Sequence, residues 1–264
     1  MKIVEDILQK ERDKKTSLLK SADKLTNTAY HENKALSSSS IRRYIQNPCY
    51  LNQEIKNTPA LTFGALFHKA ILEKEDFKKN EYAYLSLLDR KHKELLLNFI
   101  QSIQKNKSIQ KLTKDAKYIE EPIFWEETIA DLKIPMKAKI DLFTKEGYLV
   151  DLKTSAELDF RRGYYPLLDI ERNTLRKIVD KYRYDIELSI HKRALESRGE
   201  EVRGCVLVFF EKKPPYEIVM SYLTKEMLNR GEYGDDFWEG WKDTAVEIKT
   251  KPKSKRFNNF VEIF

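Results

Sequence analysis

The sequence predicts a mixed α/β domain, in which helices flank a β-sheet, and three observations support this. Residues 60–73 carry apolar side chains at helical spacing, whereas over residues 118–154 the apolar period falls to two. A second helical stretch at 174–198 is followed by apolar strands at 202–210 and 216–223. Helices, then a β-meander, then a long helix and two more strands are typical of one α/β (α+β) domain.

The element boundaries follow from local signals. Four serines, Ser37 to Ser40, predict the N-cap of a helix that ends at Asn47-Pro48. In the middle of the chain, residues 133–142 and 148–154 predict a hairpin closed by the turn Thr144-Lys-Glu-Gly147. We expect a charged N-terminal arm over 1–36, one domain over 37–245 and a basic tail over 246–264.

Composition excludes several classes of protein. With 264 residues, 41% hydrophobic and 11% aromatic, the chain can fill a sizeable core, so global disorder is excluded. We expect a cytoplasmic protein without membrane contact, because no apolar run is long enough for a membrane span and the first residues are too charged for a signal peptide. Two cysteines cannot form a disulfide framework, and the 8 glycines form no nucleotide-binding loop.

The formal net charge of +7 favours a polyanionic partner. Basic residues concentrate in the stretch 172–198 and in the run from Lys249 to Arg256. Such clusters are often ordinary solvated surfaces, so basicity by itself does not identify a binding site for a polyanion.

The predicted hairpin carries the residues with the clearest chemistry. Alternation places Lys137, Lys139 and Asp141 on one face of the first strand, and Asp151 and Lys153 on one face of the second. Two carboxylates brought close together repel each other, and a divalent cation removes that penalty. Two acids and a lysine on neighbouring strands therefore suit metal-assisted hydrolysis of a phosphodiester, in which the metal activates water and the lysine stabilises phosphate charge.

The pattern Asp-x-Lys does not identify the site by itself, because it occurs six times in the chain. The surrounding sequence distinguishes one copy from the others. Only the copy at Asp151 lies in an apolar alternating strand, YLVDLKT, with Asp141 ten residues earlier across a turn. The pattern alone also fits two strand-end acids that pair with neighbouring lysines.

The order KAKIDLF then YLVDLKT resembles the PD-(D/E)XK nuclease superfamily, and more narrowly its exodeoxyribonuclease VIII (RecE-like) branch, related to lambda exonuclease. Three further stretches are similar to motifs of that branch: SSSSIRRYIQNP, LTFGALFHKAILEKEDF and YRYDIELSIHKRAL. The resemblance covers roughly residues 37–200, and it rests on the order and spacing of motifs that are each weak. It implies a restriction-endonuclease-like fold, with a mixed β-sheet core flanked by helices.

The resemblance also implies roles for single residues. His68, Asp141 and Asp151 would be catalytic and would bind Mg²⁺, with Mn²⁺ as a substitute. The Leu152 carbonyl and Glu121 would be further metal ligands. Lys153 would act on water or on the scissile phosphate.

A DNA-binding group is expected beside this centre. Glu187 and His191 stand where the branch carries Gln-x-x-x-Tyr, and residues at i and i+4 share a helix face. An ionised acid cannot donate a hydrogen bond to DNA, so Glu187 departs from the branch's pattern in its chemistry. Arg183, Lys137 and Lys139 complete the expected DNA contacts.

The resemblance implies a Mg²⁺-dependent exonuclease of linear double-stranded DNA in phage or prophage recombination. A single-strand annealing protein and a ring-shaped homo-oligomer are the implied partner and assembly. Two alternatives stay open. One is a structure- or sequence-specific endonuclease of the same superfamily, and the other is a catalytically inactive DNA-binding module that retains the fold.

Overall fold

The structure is a computed structural model that describes residues 27–53, 58–155, 178–212, 214 and 216–251, with the backbone alone at 27–29 and 52. Outside the described residues lie positions 1–26 of the predicted arm, the start of the predicted long helix at 174–177, and positions 252–264 of the predicted tail.

Helices precede the first strand, as the sequence predicts. The helices are α1 (Asn27–Glu32), α2 (Ser38–Gln46), α3 (Pro59–Leu72), α4 (Lys74–Leu85), α5 (Arg90–Gln104), α6 (Lys107–Lys114), α7 (Tyr184–Ser197), α8 (Lys225–Tyr233) and α9 (Trp241–Thr250), with a short 3-10 helix at Pro48–Asn52. The strands are β1 (Ala116–Ile129), β2 (Leu132–Thr144), β3 (Tyr148–Ser155), β4 (Gly204–Glu211) and β5 (Ile218–Tyr222). None of the helices so described is both long and apolar enough to cross a membrane.

Local chemistry explains the helix starts and the hairpin. Ser37 and Ser40 form a reciprocal capping box at the start of α2, which confirms the predicted N-cap. Helix α3 begins with Pro59 behind a Thr58 cap. The predicted hairpin is confirmed, and its turn ends at Gly147, whose φ of 89° suits glycine because a Cβ there would lie 2.8 Å from the Glu201 carbonyl oxygen.

The strands form one mixed sheet in the order β1-β2-β3-β4-β5, which confirms the predicted α/β class. Neighbouring strands are antiparallel except for the parallel pair β3 and β4. Strands β2 and β3 pair at Leu142–Val150 and Phe143–Leu149 and then separate. Farther along β2, Leu36 occupies the vacated edge through a parallel bridge to Met136. This separation creates the space in which the candidate site lies.

Each face of the sheet is covered by its own hydrophobic cluster. On one face, Ile134, Met136 and Ile140 pack with α7 and with Trp241 of α9. On the other face, Leu142, Val150 and Leu152 pack with α3 and α5. Because both faces are buried, β3 and β4 are apolar along most of their length.

Three predicted boundaries are corrected by the structure. The predicted long helix is interrupted at Arg183, whose φ of 51° is left-handed, so that α7 starts at Tyr184. Helix α9 runs to Thr250, so the first residues of the predicted tail belong to the folded domain. At the other end, the Leu36 bridge and the contact of Tyr30 with Phe124 attach the end of the predicted arm to β1 and β2.

Candidate active site

The centre of the site is the backbone of Leu152, just beyond the point where β2 and β3 separate. The Leu152 N–H lies beyond the paired part of β2 and β3 and donates to the side chain of Asp141, at 2.8 Å from Oδ2. The Leu152 carbonyl oxygen lies 2.8 Å from Nε2 of His68 on α3. A carbonyl oxygen can only accept, so Nε2 carries the hydrogen and Nδ1 is the ring atom that faces the site.

His68 Nδ1 faces two carboxylates. It lies 3.5 Å from Glu120 Oε1 and 3.6 Å from Asp141 Oδ1. The three residues present ligand atoms that all lie within 4.8 Å of one another. One imidazole nitrogen and two carboxylate oxygens at this spacing form a candidate divalent cation site.

Glu120 is held in an unfavourable position. The strand register passes from Ile119–Leu142 to Glu121–Ile140, which puts Glu120 opposite Asp141. Like charges directly opposite each other destabilise a sheet. The Glu120 backbone also has a left-handed φ of 49°, a conformation that costs about 1–3 kcal/mol in a residue other than glycine. Strain of this kind clusters at functional sites, so it supports a functional role for Glu120.

Burial and neighbouring charges shift the pKa values of this group in different directions. Burial raises the pKa of Asp141 to about 7, with His68 opposing the rise and Asp151 adding to it. Burial lowers the pKa of His68, but the Asp141 and Glu120 carboxylates outweigh burial and raise it to about 9. Burial raises the pKa of Glu120, but His68 and Lys139 outweigh it and lower that pKa to about 2.

These residues fit a divalent cation. Glu120 Oε1 is buried and makes no hydrogen bond within the described part of the chain. Without a cation, a proton on His68 and the ammonium of Lys139, which forms an ion pair with Glu120, balance the two carboxylates. His68 already donates its other N–H to a backbone carbonyl, the usual support for a metal-binding histidine.

A second group of charges lies on the α7 side of the sheet. Asp151 is only 1% exposed, and its Oδ2 lies 2.6 Å from Lys153 Nζ. The same ammonium lies 3.3 Å from Oε2 of Glu187 on α7, which is also 3.1 Å from Arg42 Nη1 on α2. His191 Nδ1 lies 3.8 Å from Asp151 Oδ1, and neither atom has a hydrogen bond among the described residues.

The charges of this second group set their protonation states. Burial lowers the pKa of Lys153, but Asp151, Glu187 and Asp141 outweigh burial and raise it, so that the ammonium is retained. Burial raises the pKa of Glu187, but Arg42 and Lys153 lower it to about 2. Burial dominates at His191 and lowers its pKa, so the ring is neutral.

The structure brings together most of the residues that the sequence singled out. His68 and Asp141 converge with Lys139 beside them, and Asp151, Lys153, Glu187 and His191 form the second group. Asp151 is on the α7 side of β3 and is not one of the three residues with converging ligand atoms. The Leu152 carbonyl, expected to bind metal, accepts a hydrogen bond from His68.

Three other residues that the sequence singled out are engaged in other contacts. Glu121 pairs with Arg198 at 2.7 Å, because successive residues of a strand face opposite sides, so the acid at the site is Glu120. Lys137 donates to the backbone carbonyls of Tyr30 and Asn33. Arg183 is buried, with bonds to Asp185 and to the Glu239 carbonyl.

Sequence reasoning missed Glu120 and Arg42. Glu120 and Glu121 are adjacent acids, so only the strand register decides between them. Arg42 lies in the serine-capped helix, and its role depends on the packing of α2 against α7. The signal that the sequence offers for Arg42 is its basic side chain in a helix that resembles a motif of the nuclease branch.

Comparison with known proteins identifies the family and supports the fold. Residues 45–233 match the family described as a PDDEXK-like domain of unknown function, DUF3799. A solved structure from Eubacterium rectale, named "Putative exonuclease", is similar at 15% identity, with a TM-score of 0.56 over 78% of this chain and 80% of that chain. At that identity the likeness shows the fold, and it confirms the predicted superfamily fold.

Two further comparisons do not bear on the fold or the function. A solved structure of SSO0001 covers 84% of this chain and 90% of its own, but at 11% identity and a TM-score of 0.32 it is too distant to interpret. No curated protein matches the chain. The family match, which spans most of the chain, is sufficient: this protein belongs to the DUF3799 family of PDDEXK-like, nuclease-type domains.

Proposed function

We propose that this protein is a divalent-cation-dependent deoxyribonuclease that acts as an exonuclease on linear double-stranded DNA. The observation that carries the proposal is the convergence of His68, Glu120 and Asp141 beside the Asp151–Lys153 pair, in a domain of the PDDEXK-like family. Mg²⁺ is the proposed ion, with Mn²⁺ as a substitute, because carboxylate-rich sites suit both.

The residues divide the work between binding the ion and orienting its ligands. His68, Glu120 and Asp141 would hold the ion, with Asp151 beside them. When bound, the ion would polarise the phosphate and lower the pKa of water. The Leu152 backbone fixes both the His68 ring and the Asp141 carboxylate, so these two ligands keep their orientation without substrate.

Lys153 is a fixed positive charge in this proposal. Its carboxylate neighbours raise its pKa, which keeps the ammonium protonated and makes it a poor proton acceptor. We infer that it stabilises the negative charge that develops on the scissile phosphate. Glu187 and Arg42 hold this ammonium in place, since Glu187 bridges the two cations.

The finer assignments extend the same proposal. The resemblance to the exodeoxyribonuclease VIII (RecE-like) branch supports exonuclease action, a ring-shaped homo-oligomer and a single-strand annealing partner in phage or prophage recombination in the cytoplasm. The likeness in fold to a protein named "Putative exonuclease" points the same way. The net charge of +7 suits a DNA substrate.

A cleavage assay tests the proposal. Linear duplex DNA and the same DNA as a closed circle are incubated with the protein and Mg²⁺, and Asp151→Asn serves as the matched variant. We expect nucleotide release from the linear duplex by the wild type alone, and an intact circle. Cutting of the circle would instead assign an endonuclease. Equal release by wild type and Asp151→Asn, or release by neither, would contradict the site.

A further inference from the structure

An aromatic pair leads from the Lys153 ammonium to the protein surface. Lys153 Nζ lies 5.1 Å from the centroid of the Tyr184 ring at the start of α7. The Tyr184 ring stacks on that of Tyr182, with centroids 5.5 Å apart and planes 27° apart. The centroid of the Tyr182 ring is therefore no farther from the Lys153 ammonium than the sum of these two distances.

The outer ring of the pair is open to solvent and fixed in position. Tyr182 is 48% exposed, so its ring can be reached from solvent. Arg42, which also pairs with Glu187, donates to the Tyr182 carbonyl oxygen at 2.9 Å and lies over the Tyr184 ring. Thus the charges that hold Lys153 also hold the aromatic pair.

The chemistry of the surface matches a nucleic acid strand. The Lys181 ammonium lies over the Tyr182 ring, 5.3 Å from its centroid, so a cation is present at the exposed ring. A strand of DNA offers the same alternation, a phosphate next to a flat base, and successive bases are about 3.4 Å apart along the axis. A strand whose phosphate contacts Lys153 therefore brings a base to Tyr182 within a few nucleotides.

We propose that Tyr182, backed by Tyr184, is a stacking surface for a nucleobase that flanks the scissile phosphate. This inference rests on the proposed nuclease function and names the part of the substrate that this surface binds. Stacking on a tyrosine ring is independent of base identity, since every base has a flat π-face. The surface therefore positions the strand without reading its sequence.

The test combines kinetics with a fluorescent base. Tyr182→Ala, Tyr182→Phe and the control Tyr222→Ala, an exposed tyrosine on edge strand β5, are compared on linear duplex with Mg²⁺. Loss of one base stack is expected to raise KM roughly 5- to 150-fold for Tyr182→Ala and to leave kcat close to wild type. Tyr182→Phe keeps the ring and is expected to behave as wild type.

A binding measurement separates this inference from the proposed function. Terminal 2-aminopurine in the duplex should lose fluorescence when it stacks on the wild-type protein, and should keep it with Tyr182→Ala. An unchanged KM and unchanged quenching in Tyr182→Ala, or a Tyr182→Phe defect equal to that of alanine, would overturn the stacking surface. If the wild type quenches the probe but releases no nucleotides, the nuclease proposal fails while the stacking surface stands.

Discussion

His68 Nε2 lies 2.8 Å from the Leu152 carbonyl oxygen, although 84 positions separate the two residues in the chain. The Leu152 N–H donates to Asp141 at the same distance. The backbone of this single residue of β3 thus orients a candidate ligand from α3 and a candidate ligand from β2. Leu152 is also flanked by Asp151 and Lys153, so the same short stretch of strand joins the two charge groups of the site.

Glu120 and Glu121 provide a direct test of the candidate cation site. Replacement of Glu120 by Gln removes a converging carboxylate, whereas Glu121→Gln changes only the contact with Arg198. We expect Glu120→Gln to lower Mg²⁺-dependent cleavage at least about 100-fold, the upper end of losses for residues that only support a ligand. Glu121→Gln should keep nearly full activity.

Thermal unfolding with added metal checks the same pair of variants without relying on activity. Saturation of one site at about 100 times its Kd stabilises a protein by about 2.7 kcal/mol. Mn²⁺ should therefore raise the Tm of the wild type and of Glu121→Gln, and raise it much less in Glu120→Gln. Equal stabilisation of all three proteins would remove Glu120 from the site.

Lys153→Met tests how much the positive charge of Lys153 contributes to stability and to cleavage. The change removes the cation between Asp151 and Glu187, both buried. Removal of one partner of a buried ion pair costs about 3–5 kcal/mol, so urea unfolding of the metal-free variant should show a loss of that order. Single-turnover cleavage should fall about 10²–10³-fold under folding conditions. Lys153→Arg, which keeps the charge, should retain more of both properties.

Arg42 and Glu187 should be coupled in stability. Their charged atoms lie 3.1 Å apart, and Arg42 is the largest charge effect that lowers the pKa of Glu187. A double-mutant cycle with Arg42→Gln and Glu187→Gln should give a coupling energy of about 0.5–3 kcal/mol by urea unfolding. The adjacent Arg43, which contacts the Gln53 carbonyl instead, supplies the control, and a cycle of Arg43→Gln with Glu187→Gln should show almost no coupling.

Cys205 makes the stability of the folded protein depend on alkaline pH. Burial raises the pKa of its thiol to about 12, whereas the unfolded thiol ionises near about 8.5. As pH rises through that window, only the unfolded chain loses the proton, so stability falls by up to about 1.36 kcal/mol for each pH unit. Cys205→Val should flatten the pH dependence of the unfolding free energy above pH ~8.5.

Lys137 should matter for stability and not for cleavage. Its ammonium donates to the carbonyls of Tyr30 and Asn33 at 2.7 Å each and lies over the Tyr30 ring. Lys137→Met removes the charged donor of these two hydrogen bonds, so a loss of about 1.5–3 kcal/mol is expected in urea unfolding. A selective loss of DNA affinity with unchanged stability would restore the role that the sequence suggested for Lys137.

Much of the fold could be predicted because the controlling signals are local. The serine cap of α2, the helical spacing in α3 and the two-residue period around Gly147 each act within a few residues. The break at Arg183 could not be predicted in this way, since a left-handed arginine is held by contacts with Asp185 and Glu239, which depend on tertiary packing.

The same distinction between local signals and tertiary packing holds for the candidate site. Asp141, Asp151 and Lys153 follow from one hairpin, but the choice of Glu120 over Glu121 depends on the strand register and a strained backbone. The hydrogen bond from His68 to the Leu152 carbonyl could not be predicted, because it depends on how α3 packs against β3.

We expect His68, Glu120 and Asp141 to bind one divalent cation beside Asp151. A crystal structure of the protein soaked with Mn²⁺, with anomalous diffraction to locate the ion, tests it most directly. We expect an anomalous peak within about 2.0–2.6 Å of His68 Nδ1 and of oxygens from Glu120 and Asp141, near the usual ligand distances of such ions. A peak held by other side chains, or full Mn²⁺-dependent cleavage with no ion between these three residues, would contradict it.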